Sequence, residues 1–280
     1  IPLRLVGSEM CIRDRLYMEK VLKCKVTVIS PFEFIHAEHS VASDEMVIAV
    51  SQSGYSVNTM EALKFINDEL TRKSIVLTGD LNSDIVSVAD LAVDFGVGEE
   101  TVGYVTKGVI ALSLYLMLFA LEAAKMCKII GQNEYDTWVR EFEKVSGAHE
   151  KMIVATKKFY ADNIKALTSL QTVYICSVGA NMGTAMEGAL KVGETIQVPG
   201  IAYELEEYIH GPNLQLTPNY TVFFIDGGLA SDRTQEIFEA TGVITDKTYM
   251  LTNKKGLEGK NIINCLLYTS PSPRDVEESR

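Results

Sequence analysis

The sequence is poor in basic side chains. Its 280 residues hold 26 lysines and arginines against 37 aspartates and glutamates, which gives a formal net charge of −11 at pH 7. Nucleic acid is held mainly by clustered basic residues, and no basic run occurs, so the composition argues against nucleic acid as a partner. An anionic ligand would have to be bound by hydroxyls, backbone amides and helix N-termini instead of by the overall field.

Cysteines are also few, and their five positions show no metal-like spacing. Cys11 and Cys265 lie in the end segments described below, whereas Cys24, Cys127 and Cys176 are scattered through the chain. We therefore expect reduced core thiols in a cytoplasmic protein, with neither a metal nor another cofactor.

Long apolar runs are scarce as well. The most membrane-like stretch, residues 109–124, is too short to span a bilayer comfortably and lies between polar segments. We expect it to be a buried helix and expect no membrane partner. The content of 47% apolar and 22% charged residues is typical of a soluble globular protein, and the length is enough for two ordinary domains.

The two ends of the chain do not resemble natural protein sequence. Residues 5–15 (LVGSEMCIRDR) and 265–275 (CLLYTSPSPRD) can be back-translated into DNA strings that are reverse complements over nearly their whole length. Two ends of one gene have no reason to be related in this way, and the shared DNA looks like a transposase sequencing adapter. We predict that residues 1–15 and 265–280 derive from that adapter, and that residues 16–264 are an internal piece of a longer protein.

Short β-branched runs alternate with helical patterns twice along the chain. Seven segments share the strand pattern: residues 25–30, 45–50, 73–77, 91–95, 172–178, 221–226 and 247–251. Between the two groups, residues 106–130 and 134–167 are predicted to form long helices. Apolar strands alternating with helices indicate parallel sheets covered on both faces. We predict two α/β domains of one plan, residues 16–145 and 146–264, the first lacking its opening strand and the second its closing helix.

The clearest candidate binding site follows the strand predicted over residues 45–50. Residues 51–59 (SQSGYSVNT) place three serines, a threonine and Gly54 around the start of a predicted helix. In parallel sheets ligands bind at the carboxyl ends of strands, and helix N-termini bind anions. A serine-rich N-cap is the alternative interpretation, but the position directly after a buried strand favours a phosphate monoester site. No Gly-Lys-Ser/Thr follows, so a nucleoside triphosphate is not expected.

A second candidate is a polar stripe on one predicted helix. Glu187, Lys191 and Glu194 occupy positions i, i+4 and i+7 and so share a face. A carboxylate beside a lysine can be kept ionised as a base, although a solvated row of ion pairs is the alternative. The helix follows a glycine-rich turn at residues 177–183 and is otherwise largely apolar, which favours a functional stripe.

His210 is the candidate proton shuttle, because imidazole titrates near neutral pH and this residue lies in a loop ending in Gly-Pro. The neighbouring Glu206 and Glu207 could raise the histidine pKa or orient its ring. Alternatively they cap or solvate a helix.

These motifs together resemble one family. Residues 51–59 are similar to the phosphate loop of sugar isomerase (SIS) domains. Residues 186–194 (MEGALKVGE) and 206–212 (EEYIHGP) resemble the isomerase half of the glucosamine-6-phosphate synthases and the fructosamine-6-phosphate deglycases. Residues 98–107 (GEETVGYVTK) match the segment that joins the first sheet to its last helix. The resemblance covers residues 16–264 and implies two SIS domains, each a flavodoxin-like three-layer sandwich with a parallel sheet, both truncated at their outer ends.

The resemblance also implies roles for individual residues. Glu194 matches the general base that moves a proton between C1 and C2 of an open-chain sugar. His210 matches the histidine that helps to open the sugar ring and that comes from across a dimer interface, which implies a homodimer with a composite active site. Four loop residues match the phosphate-binding positions: Ser51, Gln52, Ser53 and Ser56. Three residues are expected to support the catalytic pair: Lys191, Glu187 and Glu207.

Two departures from the synthase pattern favour a deglycase. Gly193 stands where the synthases often have a second lysine, and Tyr55 replaces an acidic residue common in their loop. We therefore expect an enzyme that releases glucose 6-phosphate and an amine from a fructosamine 6-phosphate. The alternatives are the isomerase half of a glutamine–fructose-6-phosphate aminotransferase and an amino-sugar-phosphate deaminase. A non-catalytic sugar-phosphate sensor would need the serine loop but not Glu194 together with His210. The missing closing tail would carry further active-site residues, so this piece of the protein could be inactive by itself.

Overall fold

A computed structural model describes residues 2–7, 12–37 and 41–264, with the side chains of residues 12 and 13 left out. It divides into two units, Ile1–Tyr135 and Asp136–Arg280, each of which is described here by itself. Each unit contains a five-stranded sheet whose strand pairs are all parallel. The prediction of parallel α/β sheets flanked by helices is confirmed.

The first unit alternates strands and helices. Its strands are β1 (Leu3–Val6), β2 (Val26–Ile29), β3 (Met46–Ser51), β4 (Ile75–Thr78) and β5 (Leu91–Asp94). Its helices are α1 (Ile12–Leu22), α2 (Pro31–His36), α3 (Val57–Asp68) and α4 (Lys107–Met126), with a 3₁₀ turn at Asp84–Ser87. The strand order is β2-β1-β3-β4-β5. Ala49 and Val76 of the central strands pack against Leu63 of α3 and Ile85 of the 3₁₀ turn, which anchors the loop between β3 and α3.

We expect no strand before residue 16, whereas the structure places β1 between β2 and β3. Leu5 and Val6 are fully buried there, and Arg4 pairs with Glu45 at 3.0 Å in a nearly buried salt bridge. The first sheet therefore has a strand in the position where we expect none. The adapter origin of residues 1–15 concerns the DNA and stays a prediction; residues 265–280 lie outside the described residues.

The second unit repeats this plan. Its strands are β6 (Thr172–Ser177), β7 (Gly200–Glu204), β8 (Tyr220–Asp226), β9 (Thr248–Thr252) and β10 (Ile262–Asn264). The helices that follow α4 are α5 (Gln132–Asp162), α6 (Ile164–Leu167), α7 (Asn181–Thr195), α8 (Leu205–Ile209) and α9 (Ser231–Gly242), with a 3₁₀ turn at Pro212–Gln215. The order β7-β6-β8-β9-β10 is that of the first sheet when the strands of each unit are counted from one to five. Both sheets therefore have the flavodoxin-like order 2-1-3-4-5.

Alternate side chains of β6 face opposite layers of the second unit. Val173 and Ile175 pack against Ala185 and Ala189 of α7. Tyr174 and Cys176 pack instead with Leu205 and Tyr208 of α8 and with Ile237 of α9. Because successive strand residues point to opposite faces, α7 lies on one side of the sheet and α8 and α9 lie on the other.

Helix α4 is, within the described part of the chain, the one helix long and apolar enough to cross a membrane, and a third of its apolar window is buried. Leu112, Leu116 and Ala120 are fully buried, whereas Ile110 and Leu118 on another face are exposed. The expectation of a buried helix therefore holds for one face of α4 only.

Candidate functional site

A cavity of about 980 Å³ lies at the carboxyl ends of the strands in the first unit. Loops that follow all five strands contribute to its wall, including Gly7 after β1, Ser30 after β2 and Gly79 after β4. The chain reverses direction across the sheet between β1 and β3, and such switch points are where ligands bind in open α/β sheets. The fold thus places an open cavity at the position favoured for a ligand.

All four residues predicted to bind phosphate line this cavity: Ser51, Gln52, Ser53 and Ser56. Ser51 ends β3 and is buried, and Ser56 is the N-cap residue of α3. The Ser56 hydroxyl accepts a hydrogen bond from the Thr59 hydroxyl at 3.0 Å and makes no cap bond to a helix amide. The first turn of α3 is therefore left without a side-chain cap at the edge of the cavity, which suits an anion.

The charge of the cavity wall is acidic. Asp80, Glu99 and Glu100 are among the described residues that line it, and none of these described residues is a lysine or arginine. A phosphate bound here would be held by neutral donors, namely hydroxyls, backbone amides and the N-terminus of α3. This lining is compatible with the expectation that an anionic ligand would be bound by hydroxyls, backbone amides and helix N-termini.

Glu100 was not singled out from the sequence, although the cavity places it opposite the phosphate loop. Its carboxylate accepts hydrogen bonds from the backbone amides of Gly108 at 3.0 Å and Thr106 at 3.3 Å, at the start of α4. The hydrogen bond from Gly108 is the largest cause that lowers the pKa of Glu100, and partial burial opposes it. Nearby Lys107 is directed elsewhere, since its ammonium donates to the carbonyl of Glu99 at 3.2 Å.

The polar stripe predicted on α7 is present. Lys191 Nζ lies 2.6 Å from a carboxylate oxygen of Glu194 and 3.4 Å from one of Glu187. Burial alone would lower the pKa of Lys191, but the hydrogen bond that it donates to Glu194 and the charge of Glu187 outweigh burial and raise that pKa. Both oxygens of Glu187 are buried without a hydrogen-bond partner in the described structure, so its contact with Lys191 is an ion pair without hydrogen-bond geometry. Lys191 is therefore a cation shared by two carboxylates.

The glycine-rich turn after β6 and Glu194 lie at opposite ends of α7. Glu194 is thirteen helical steps after Asn181, at the start of α7, which is roughly 20 Å at 1.5 Å per residue. The sequence argument that the turn makes this stripe functional stays a prediction.

His210 is exposed and caps the carboxyl end of α8. The side chain of Glu204, rather than that of Glu206 or Glu207, accepts hydrogen bonds at the start of this helix, from the amides of both. Glu206 forms an ion pair with Arg233 at 2.7 Å. That hydrogen-bonded pair is the largest cause that lowers the pKa of Glu206, with a smaller contribution from the charge of His210.

The second sheet separates the two predicted catalytic residues. Glu194 belongs to α7 on one face, and His210 directly follows α8 on the other. The structure therefore brings Glu194 together with Lys191 and Glu187, and it keeps His210 apart from all three within this unit.

The loop after β8 holds a carboxylate where the loop after β3 holds Ser51. Asp226 is the last residue of β8 and pairs in register with Thr252, as Ser51 pairs with Thr78. It is 5% exposed and accepts three hydrogen bonds: from the Gly228 amide at 2.8 Å, the Ser231 hydroxyl at 2.8 Å and the Thr252 hydroxyl at 2.7 Å. In the second unit, the carboxylate of Asp226 therefore occupies the position that corresponds to Ser51 in the first unit.

Two further expectations concern metals and cysteines. The described residues contain no group of three or more side chains that could together hold a metal ion. The expected core thiols are found in part: Cys176 is buried, but Cys24 is half-buried and Cys127 exposed.

A hydroxyl-lined anion loop at the switch point of a 2-1-3-4-5 parallel sheet defines the first unit as an α/β domain suited to a phosphorylated ligand. The family model of the SIS domain matches residues 8–122, within this unit. The match does not reach the second unit, whose assignment as an SIS domain is a proposal supported by its identical strand order.

Two enzymes match most of the chain in sequence. The chain is 26% identical over 217 residues to a glutamine–fructose-6-phosphate aminotransferase (isomerizing) of Neisseria meningitidis serogroup B, covering 75% of this chain and 34% of that protein. It is 27% identical over 202 residues to the enzyme of the same name from Pyrobaculum aerophilum, covering 70% and 33%. The chain thus spans about a third of the length of these relatives.

Solved structures share the fold of the whole chain. The C-terminal domain of glucosamine-fructose-6-phosphate aminotransferase from Francisella tularensis superposes with a TM-score of 0.79 at 19% identity, covering 94% of this chain and 76% of that one. A glucosamine-6-phosphate deaminase from Thermotoga maritima gives a TM-score of 0.73 at 17% identity, with 94% and 78% covered.

Proposed function

We propose that this chain is the sugar-phosphate-processing part of an isomerase-type enzyme acting on an amino-sugar or fructosamine 6-phosphate. The observation that carries the proposal is the hydroxyl-lined cavity at the switch point of the SIS-matched unit. Its wall offers donors of the kind that a phosphate monoester needs, and the described residues of the wall include no lysine or arginine that would favour a larger polyphosphate. The aminotransferase relatives support a phosphosugar as the ligand class.

Within that class, the preferred reaction is deglycation. Glu194 would remove a proton from C1 of the open-chain fructosamine and return it to C2, while the proton of the amine nitrogen passes to O2. The ketosamine thereby becomes an imine of glucose 6-phosphate. Water would then add to the C1=N bond and release glucose 6-phosphate and the amine. Lys191 forms an ion pair with Glu194 at 2.6 Å and so holds this carboxylate in place on α7. His210 would move the proton that opens the sugar ring.

A homodimer with a composite active site is part of the proposal. The separation of Glu194 from His210 by a sheet supports it, because one unit cannot present both side chains to one small sugar. A second copy could supply the histidine. Analytical ultracentrifugation of the full-length protein tests whether it is a dimer. A monomer with full activity would contradict the proposal.

The test of the reaction uses the full-length protein from the gene recovered without the predicted adapter ends. It is incubated with fructoselysine 6-phosphate, and glucose 6-phosphate is followed with a coupled dehydrogenase. We expect release in the wild type and loss of at least a hundredfold in Glu194→Gln, the size typical of losing a general base. The matched control is Glu141→Gln, which breaks an exposed i,i+3 pair with Lys144 and should leave turnover unchanged.

The relatives favour one alternative, the isomerase half of a glutamine–fructose-6-phosphate aminotransferase. Formation of fructose 6-phosphate from glucosamine 6-phosphate, without glucose 6-phosphate release from the fructosamine, would support this alternative or a deaminase. Binding of the phosphate ester with no turnover of either substrate would instead indicate a sensor.

A further inference from the structure

The segment between β5 and α4 lines the same cavity as the phosphate loop. Glu100, in this segment, accepts hydrogen bonds from the amides of Gly108 and Thr106 and lines the cavity together with Gln52. The carboxylate thus occupies the N-terminus of α4, while the N-terminus of α3, across the cavity, is left without a side-chain cap. The start of α4 is therefore capped by a carboxylate, whereas the start of α3 has no side-chain cap.

The side chain of Gln52 is packed onto the same helix start. A Cβ atom at Gly108 would lie 1.7 Å from Gln52 Oε1 and 2.2 Å from its Cδ, so a side chain at position 108 would force the end of the glutamine side chain to move aside. The side chain of Gln52 also lies close enough to the Glu100 carboxylate to contribute to the lowering of its pKa. Its Oε1 atom is buried with no hydrogen-bond partner in the described structure. This orientation of Gln52 agrees with the nearby Glu100 carboxylate, because an amide NH₂ turns toward a carboxylate and the amide oxygen then faces away.

We infer that Glu100 is a positioning residue for the phosphate loop, which it holds through the side chain of Gln52 against the bare backbone of Gly108. In this arrangement Gln52 offers the phosphate its backbone and uses its side chain as a brace. This reassigns the side chain of Gln52, which the family resemblance places among the phosphate-binding positions. The inference rests on the proposed function, since it supposes that the loop binds a phosphate ester.

The charge of Glu100 is compatible with an anionic ligand nearby, because two backbone amides at a helix N-terminus already neutralise much of it. The same amides depress its pKa. A carboxyl group whose pKa is lower in the folded state contributes above its unfolded pKa of about 4.3, and the contribution is lost as the pH falls through the folded value. The brace is therefore intact at neutral pH and weakens in acid.

The experiment measures the affinity of the full-length protein for glucose 6-phosphate by calorimetry at pH 7. We expect Gly108→Ala to weaken binding by roughly tenfold, the coupling typical of residues in contact. In a Gln52→Ala background, where the clashing atoms are gone, the same change should alter affinity less than twofold. The matched control is Gly103→Ala in the same segment, where an added Cβ meets nothing within 4 Å and binding should be unchanged.

A pH series separates positioning from a general loss of structure. As the pH falls below about 4.3, the affinity of the wild type should fall more steeply than that of Glu100→Gln, which has no carboxyl to protonate. The second ionisation of the phosphate ester affects both proteins alike. Equal pH profiles, or an effect of Gly108→Ala that is the same with and without Gln52, would overturn the inference. If the wild type binds no sugar phosphate, the proposed function fails, and the coupling of positions 52 and 108 in urea unfolding still tests the brace.

Discussion

Gly54 is the position where the phosphate loop is least tolerant of a side chain. Its φ is +71°, and an added Cβ would lie 1.8 Å from Ser83 Oγ and 2.5 Å from Ser83 Cβ. Ser83 cannot move freely, since it is 4% exposed and its hydroxyl donates to the Asp80 carbonyl at 2.6 Å. The carbonyl of Gly54 accepts from the amide of Ile85 at 3.1 Å, which ties the loop to the 3₁₀ turn. The variant Gly54→Ala must therefore distort either the loop or its support.

The magnitude can be divided into two parts. An L-residue in the left-handed region costs about 1–2 kcal/mol. Forcing Ser83 out of its packed position costs a further ~1–3 kcal/mol, in the range found for overpacking. The control is Gly96→Ala in the same unit, where φ is +77° but an added Cβ meets nothing within 4 Å. It isolates the backbone cost, so Gly54→Ala should be less stable than Gly96→Ala by about 1–3 kcal/mol.

The assay is urea unfolding of both variants, followed by circular dichroism, with glucose 6-phosphate affinity measured in parallel. We expect Gly54→Ala to lose both stability and affinity, and Gly96→Ala to lose only stability. Equal free energies of unfolding for the two variants would refute the reasoning, because the clash with Ser83 would then cost nothing. Unchanged affinity in Gly54→Ala would show that the loop conformation does not matter for the ligand.

Two further predictions concern buried groups of the second unit and the cysteines. Asp226→Asn should lower the free energy of unfolding by roughly 1 kcal/mol in urea titration, because the charge-assisted hydrogen bond from the Thr252 hydroxyl to Oδ2 is replaced by a weaker neutral one, in which the hydroxyl accepts from the new amide. Glucose 6-phosphate affinity should not change, and a loss of affinity would place phosphate in the second unit. In thiol labelling read by peptide mass, Cys127 should react first and Cys24 more slowly, because burial raises the pKa of the Cys24 thiol. Cys176, whose thiol pKa is also raised by burial, should react only in denaturant, and its rapid labelling in the native protein would contradict the fold.

The sequence by itself was sufficient for the fold class and for placing the serine-rich loop directly after a buried strand. Runs such as residues 46–50 are apolar without interruption, and all of β3 after its first residue is buried, as a strand covered on both faces must be. The hydroxyls of the loop are contiguous along the chain, so their convergence needs only one strand-to-helix turn. Besides β1, the strands that the pattern missed are β7 and β10, which form the two edges of the second sheet. Edge strands have fewer neighbours, and β7 has no fully buried residue, so its apolar signal is weak.

Tertiary structure decided which distant segments meet. Residues 98–107 carry no local sign that Glu100 reaches the start of α4 and the side chain of Gln52, because those contacts depend on where β5 lies in the sheet. The polar stripe of Glu187, Lys191 and Glu194 follows from helical spacing alone, but its separation from His210 does not. That separation arises because α7 and α8 pack on opposite faces of one sheet, and the face that a helix covers is set by the connection between strands rather than by the residues of the helix.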